Sequence, residues 1–97
     1  MKMLMVAYDA ACDDEVLAIL TGRDAPGFTR WKRVSGRGRR SDPRMDDSVW
    51  PGYNNVLLAG VEDGQQLDDI REALSRLHQR LGSKGLKVFS WPVETLI

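Results

Sequence analysis

Leu67-Asp68-Asp69-Ile70-Arg71-Glu72-Ala73-Leu74-Ser75-Arg76-Leu77-His78-Gln79-Arg80-Leu81 is the stretch that sets the reading of the fold. Leu67, Ile70, Leu74, Leu77 and Leu81 recur at spacings of three, four, three and four. That period gives one apolar stripe with charge on the other face of a helix. Just before it, Asn55-Val56-Leu57-Leu58-Ala59-Gly60-Val61 reads as a strand, and Glu62-Asp63-Gly64 as the turn between them. After it, Gly82 stops the helix and Ser83-Lys84-Gly85 makes a tight loop. Leu86-Lys87-Val88-Phe89-Ser90-Trp91 follows as a strand, with Pro92 at its end, where a missing N–H does least harm.

Working outward, Met3-Leu4-Met5-Val6-Ala7-Tyr8 is a short apolar run and reads as a buried strand. Asp13 is expected to cap the helix that follows, with Asp14 and Glu15 favouring its positive end. Val16, Leu17, Ile19 and Leu20 supply its apolar side and Gly22 ends it. Phe28-Thr29-Arg30-Trp31-Lys32-Arg33-Val34 interleaves aromatic and β-branched residues with charge, as a strand does. The glycines, proline and arginines of residues 35–44 predict a loop. The order is strand, helix, strand, strand, helix, strand. It predicts an α+β ferredoxin-like βαββαβ sandwich: a four-stranded antiparallel sheet with two helices on one face. Residues 1–97 form a single domain on this reading.

Two helices cover one sheet face only. Yet the first strand is apolar on both faces, with Met3, Met5 and Ala7 on one and Leu4, Val6 and Tyr8 on the other. An open apolar face in water is a large exposed patch, so the pattern predicts an oligomer packed through its sheets. Composition narrows the partners. Fourteen basic residues balance fourteen acidic ones, which removes any bulk attraction for nucleic acid. No apolar run is long enough for a membrane helix, so no direct membrane insertion is expected. The lone Cys12 permits no intrachain disulfide and suits a cytoplasmic protein.

Several short motifs carry a resemblance. They are Gly27-Phe28-Thr29, then Val34-Ser35-Gly36-Arg37-Gly38-Arg39-Arg40, then Gly82-Ser83-Lys84-Gly85-Leu86-Lys87-Val88-Phe89, then Val93-Glu94. In these the chain resembles the PII-like signalling superfamily, trimeric proteins related to the nitrogen regulatory protein PII. Gly36, Gly38 and Arg39 match that family's Gly-x-Gly-Arg-Gln run, with Arg40 in place of the glutamine. Gly82, Lys84, Gly85 and Lys87 look like a shortened form of its second glycine turn. The resemblance implies a homotrimer. It implies a cleft between subunits that takes a small anionic ligand, often an adenine nucleotide, and a loop, here 37–50, that docks a partner protein. The loop is far shorter than in nitrogen-signalling members and holds no tyrosine, so control by tyrosine modification is not expected. A divergent member with another ligand or partner fits better than nitrogen signalling itself.

The residues expected to bind the ligand are Gly36, Arg37, Gly38, Arg39, Arg40, Lys84, Gly85 and Lys87. Backbone N–H groups of a glycine-rich turn beside arginine forks suit phosphate or carboxylate. Arg30, Lys32, Arg33, Arg37, Arg39, Arg40 and Arg44 hold half of the basic residues, and only Asp42 opposes them within that stretch. Charge repulsion there predicts poor order over 37–49 in the absence of ligand. Lys84 and Lys87 read equally as phosphate contacts and as cations at the negative end of the second helix. Asp46, Asp47, Trp50 and Pro51 read as partner-docking residues or, the reading preferred, as an acidic counterweight and anchor for the loop, and Trp31 and Trp91 as core or interface residues rather than ligand platforms. No base–nucleophile pair is apparent, so no catalytic residue is assigned and an enzyme is not expected. Cys12, His78, Asp9, Asp13 and Asp14 lack the paired spacing of a zinc site, so no metal ligand is assigned. The alternative function is a trimeric divalent-metal-binding protein of the related CutA-like type.

Overall fold

The structure is a computed structural model, and it describes residues 1–22, 26–37, 43–45, 52–82 and 85–97. Its elements are β1 (Lys2–Asp9), α1 (Asp13–Leu20), β2 (Phe28–Val34), β3 (Asn54–Val61), α2 (Gln65–Arg80) and β4 (Leu86–Pro92), with a 3-10 turn Ala10–Cys12 leading into α1. The sheet order is β2-β3-β1-β4 and every pairing is antiparallel. This is the predicted ferredoxin-like arrangement.

The core lies between the sheet and the two helices. Leu4, Val6 and Tyr8 of β1 alternate into it, and Leu57, Ala59 and Val61 of β3 stand on the same side. Val16 and Leu20 of α1 and Ile70, Leu74 and Leu77 of α2 close it from above. The stripe read from the sequence is the buried face of α2, with Leu67 and Leu81 packed at its ends. Arg80 near the end of α2 reaches Glu15 in the first turn of α1, an exposed ion pair linking the helices.

The other sheet face is open. Register places Trp31, Val56, Ala7 and Lys87 in one row and Thr29, Leu58, Met5 and Phe89 in the next, with Gly60, Met3 and Trp91 beyond. Trp31, Phe89 and Trp91 are between 42% and 49% exposed, so in the single chain neither tryptophan is a core residue. The aromatic side chains gather where no helix covers them.

One detail of the helix start differs from expectation. Asp13 does not cap α1: Cys12 occupies that position without a side-chain bond, and Asp9 accepts from Ala11 N–H at 3.0 Å to cap the preceding 3-10 turn. The reason is tertiary. Asp13 is engaged by groups from three strands: Tyr8 on β1, Arg30 on β2 and Asn55 on β3.

Candidate functional site

Both glycine turns of the sequence lie at one end of the sheet, where β1 finishes, β2 leaves, β3 enters and β4 begins. Gly36 and Arg44 pair there as an isolated bridge: Gly36 N–H donates to Arg44 C=O at 2.7 Å and Arg44 N–H to Gly36 C=O at 2.6 Å. The stretch 35–44, expected to be loop throughout, is thus closed at its base by a ladder rung. Arg44 Nε then donates to Asp9 Oδ2 at 3.0 Å, and Asp9 N–H donates to Gly85 C=O at 2.8 Å. Within one chain, Asp9 therefore ties the first glycine turn to the second.

The backbone calls for glycine at position 85, while at Gly36 an added Cβ would have to displace the end of the Asn54 side chain. A Cβ on Gly36 would stand 2.7 Å from Asn54 Nδ2. Gly85 has φ +76°, and a Cβ there would lie 3.3 Å from Asp9 Cβ. The left-handed conformation alone costs a non-glycine residue about 1–2 kcal/mol. Gly85→Ala is accordingly expected to lower unfolding stability by about that amount in urea titrations, while Gly27→Ala, with open space around it, should be close to neutral.

Arg33 marks a second departure. β2 and β3 pair regularly to Trp31↔Val56, then resume at Val34↔Asn54 with one extra residue on β2. Arg33 is in that bulge at φ +60°. A non-glycine residue is strained there, and two contacts offset the strain. Its N–H donates to Asn55 Oδ1 at 3.1 Å, and its guanidinium lies 4.4 Å from the centroid of the Tyr53 ring. Bulges bend a strand and re-aim its side chains; this one turns β2 towards the Gly36 turn.

Beneath the bulge is a part-buried polar network at the margin of the apolar core. Asp13 Oδ1 accepts from Tyr8 O–H at 2.6 Å and from Asn55 Nδ2 at 3.0 Å, and Asp13 Oδ2 accepts from Arg30 Nη1 at 2.7 Å. Asn55 and Tyr8 are each 1% exposed. Burial pushes the Asp13 carboxyl up, but the bonds from Tyr8 and Asn55 and the Arg30 charge outweigh it and hold the group below the usual carboxylate range. The Tyr8 hydroxyl is raised, first by burial and then by its bond to Asp13. Burial also raises the Cys12 thiol, which keeps it a poor nucleophile.

The predicted site residues fall as follows. Gly36 and Gly85 meet through Arg44 and Asp9. Arg37 is exposed beside Gly36. Lys87 stands on the open sheet face in register with Ala7, its Nζ 5.8 Å from the Phe89 ring centroid. Gly38, Arg39, Arg40 and Lys84 lie outside the described residues, as do Asp46, Asp47, Trp50 and Pro51, and with them most of the segment 37–49 expected to be poorly ordered. The arginine cluster is less unopposed than its sequence implies, because Arg30 and Arg44 are paired with Asp13 and Asp9. Those two aspartates were missed as anchors. A cation on the core side of β2, in register with Leu57, is the signal that calls for a buried acid. Among the described residues, no group of three or more His, Cys, Asp or Glu side chains is placed to hold a metal ion.

Comparison with solved structures decides the fold. The chain superposes over 97% of its length on 86% of the chain of CPII from Thiomonas intermedia K12 bound to ADP and bicarbonate, with a TM-score of 0.74 and 16% identity. It has a PII-like fold. A second structure of CPII, described as a nitrogen regulatory PII-like protein and bound to ADP, AMP and bicarbonate, gives a TM-score of 0.78 at 14% identity over the same shares of the two chains. A third, bound to ADP, AMP and acetate, gives 0.70 at 16% identity over 92% of this chain and 81% of that one. No family model matches the sequence, and no curated protein matches it. The PII-like architecture is therefore kept here with little of the sequence.

Proposed function

We propose that this PII-like chain is a regulatory binding protein, without catalysis of its own, that takes a small anionic ligand at the paired glycine turns. An adenine nucleotide is the leading ligand, since CPII of the same fold is bound to ADP and AMP. The observation that carries the reading is the Gly36–Arg44–Asp9–Gly85 junction. It fixes the bases of two glycine-rich, cation-bearing turns beside each other. Arg37, Arg39, Arg40 and Lys84 supply the positive charge on this reading, and the glycines let backbone N–H groups approach phosphate oxygens. The open sheet face packs against two further copies to make a homotrimer, and a neighbouring subunit completes each cleft. Ligand charge relieves repulsion among the arginines, orders loop 37–50 and so presents it to a partner protein. Work in the cytoplasm fits a lone buried cysteine.

Calorimetry with ATP, ADP, AMP and bicarbonate tests this. Binding of a nucleotide below millimolar concentration is expected. One charge-assisted hydrogen bond contributes about 1.5–3 kcal/mol, so Arg39→Ala should weaken binding roughly ten- to a hundredfold with unchanged solution mass. If none of the four binds below millimolar concentration, the anion-site reading fails.

A further inference from the structure

The outer edge of β4 carries a recognition site of a different kind. β4 has a strand on one side only. Two bonds fix which of its backbone groups are spent: Asp9 N–H reaches Gly85 C=O, and Val93 N–H reaches Met1 C=O. Antiparallel ladders alternate bonded and non-bonded pairs. Gly85, Lys87, Phe89, Trp91 and Val93 therefore direct their N–H and C=O towards β1. Leu86, Val88 and Ser90 direct theirs outward, where no described strand pairs with them. Pro92, which has no N–H, ends the row.

Beside this edge runs a groove of about 460 Å3 between β4 and α2. Leu4, Leu74 and Val88 line its apolar part, and Val88 is 37% exposed. Arg71, Ser75 and His78 line the helix side at spacings of four and three, one row beside the buried stripe. No described acidic residue lines it. Because β3 and β4 are both antiparallel to β1, α2 runs back against β4. That places Arg71 near the Ser90 end and His78 near the Leu86 end. The opposite edge of the sheet differs: β2 carries Arg30, Lys32 and the Arg33 bulge, devices that discourage strand addition. β4 is regular and unbulged through its pairing with β1.

We infer that the β4 edge binds an extended segment of a partner protein by strand addition, with alternate apolar side chains of that segment entering the groove and an acidic one facing Arg71. Main-chain bonds to Leu86, Val88 and Ser90 supply affinity, and the groove supplies specificity. The cationic flank of α2 selects the acid. The site lies on the helix side of the sheet, along the edge that follows the second glycine turn, and shares Lys87 and Phe89 with the open sheet face.

The test uses a fluorescein-labelled peptide alternating Thr with Val or Leu and carrying one Glu on the apolar side. Its controls are the same peptide with alternate residues N-methylated and a Glu-to-Lys version. Fluorescence anisotropy should show saturable binding of the Glu peptide, at least tenfold weaker for the N-methylated and Lys versions. Amide shifts should centre on Val88 and Ser90. Val88→Pro removes an outward N–H and no ladder bond, so it should keep the fold and weaken binding at least tenfold. Arg71→Glu should reverse the preference between the Glu and Lys peptides. If Val88→Pro fails to fold, the N-methylated peptide still decides. Equal binding of the N-methylated peptide, displacement of the Glu peptide by octanoate alone, or no binding below millimolar concentration overturns the proposal. So does a Val88→Pro protein whose solution mass drops, since the edge would then belong to a second copy of this chain.

Discussion

Leu58→Asp is expected to take the protein from the proposed trimer to a single chain of 10.9 kDa, or to unfold it. Leu58 is in the middle of the open face, beside Met5 on β1 and Thr29 on β2. Nothing of the core between sheet and helices touches that side. A carboxylate buried there in a sheet-to-sheet contact would have no described cation in its row, and burying an unpaired ion costs several kcal/mol. Subunit contacts between small domains do not absorb such a loss. Light scattering at matched concentrations reads the result directly. The control is Glu72→Gln on the exposed side of α2, which should leave the mass of the wild-type protein unchanged. If Leu58→Asp and the wild-type protein have the same mass and the same unfolding curve, the open face packs against nothing and the trimer is wrong.

The second large effect is expected at Asp13. Asp13→Ala leaves the Tyr8 hydroxyl, the Asn55 amide and the Arg30 guanidinium without their shared acceptor. Tyr8 and Asn55 are too buried for water to replace it freely. Unsatisfied buried donors such as Tyr8 and Asn55 cost about 1–3 kcal/mol each, and the half-buried Arg30–Asp13 pair adds less than a fully buried one would. A loss of about 3 kcal/mol is therefore expected in urea titrations at fixed protein concentration. Asp13→Asn keeps an oxygen for two of the three donors and should lose less. The pH dependence has a defined sign. The folded carboxyl titrates lower than the unfolded one, so between the two values the unfolded chain binds more protons. The contribution of Asp13 is complete above the ordinary carboxylate range, and it fades as pH falls from about 5 through the lowered folded value. Asp13→Asn should flatten the acid limb of the stability profile. An acid limb identical to that of the wild-type protein would assign the loss to other carboxylates.

Local pattern was enough for the element order and for the apolar face left bare. Helix α2 was legible because its stripe repeats over four turns, and β1 because its two faces are both apolar. The alternation that buries Leu57 in the core and sets a half-buried Leu58 on the open face follows from strand geometry alone. What escaped the sequence reading depends on which distant residues meet. Asp13 looked like a helix cap because helix starts favour aspartate, yet Tyr8, Arg30 and Asn55 converge on it from three strands. Arg44 looked like one more loop cation, and Asp9 like a strand terminus. Their pairing needs β1 to end beside the Gly36 turn, a matter of sheet order. The Arg33 bulge has no local signature, since arginine is no glycine substitute. Its stabilisation comes from Asn55 and Tyr53, more than fifteen positions away.

The bridge between Gly36 and Arg44 has a consequence for how the chain tolerates change in length. Residues 37–43 begin and end at a closed rung, itself tied to Asp9. The two ends of the span already sit together at that rung, so lengthening it is expected to add mainly a closure cost. That cost grows with the logarithm of length, about 0.6 kcal/mol for each doubling. The body of the domain is thereby insulated from the size of whatever is carried between those two residues. Insertions there, of a tag or a foreign epitope, should leave the sheet and its register as they are.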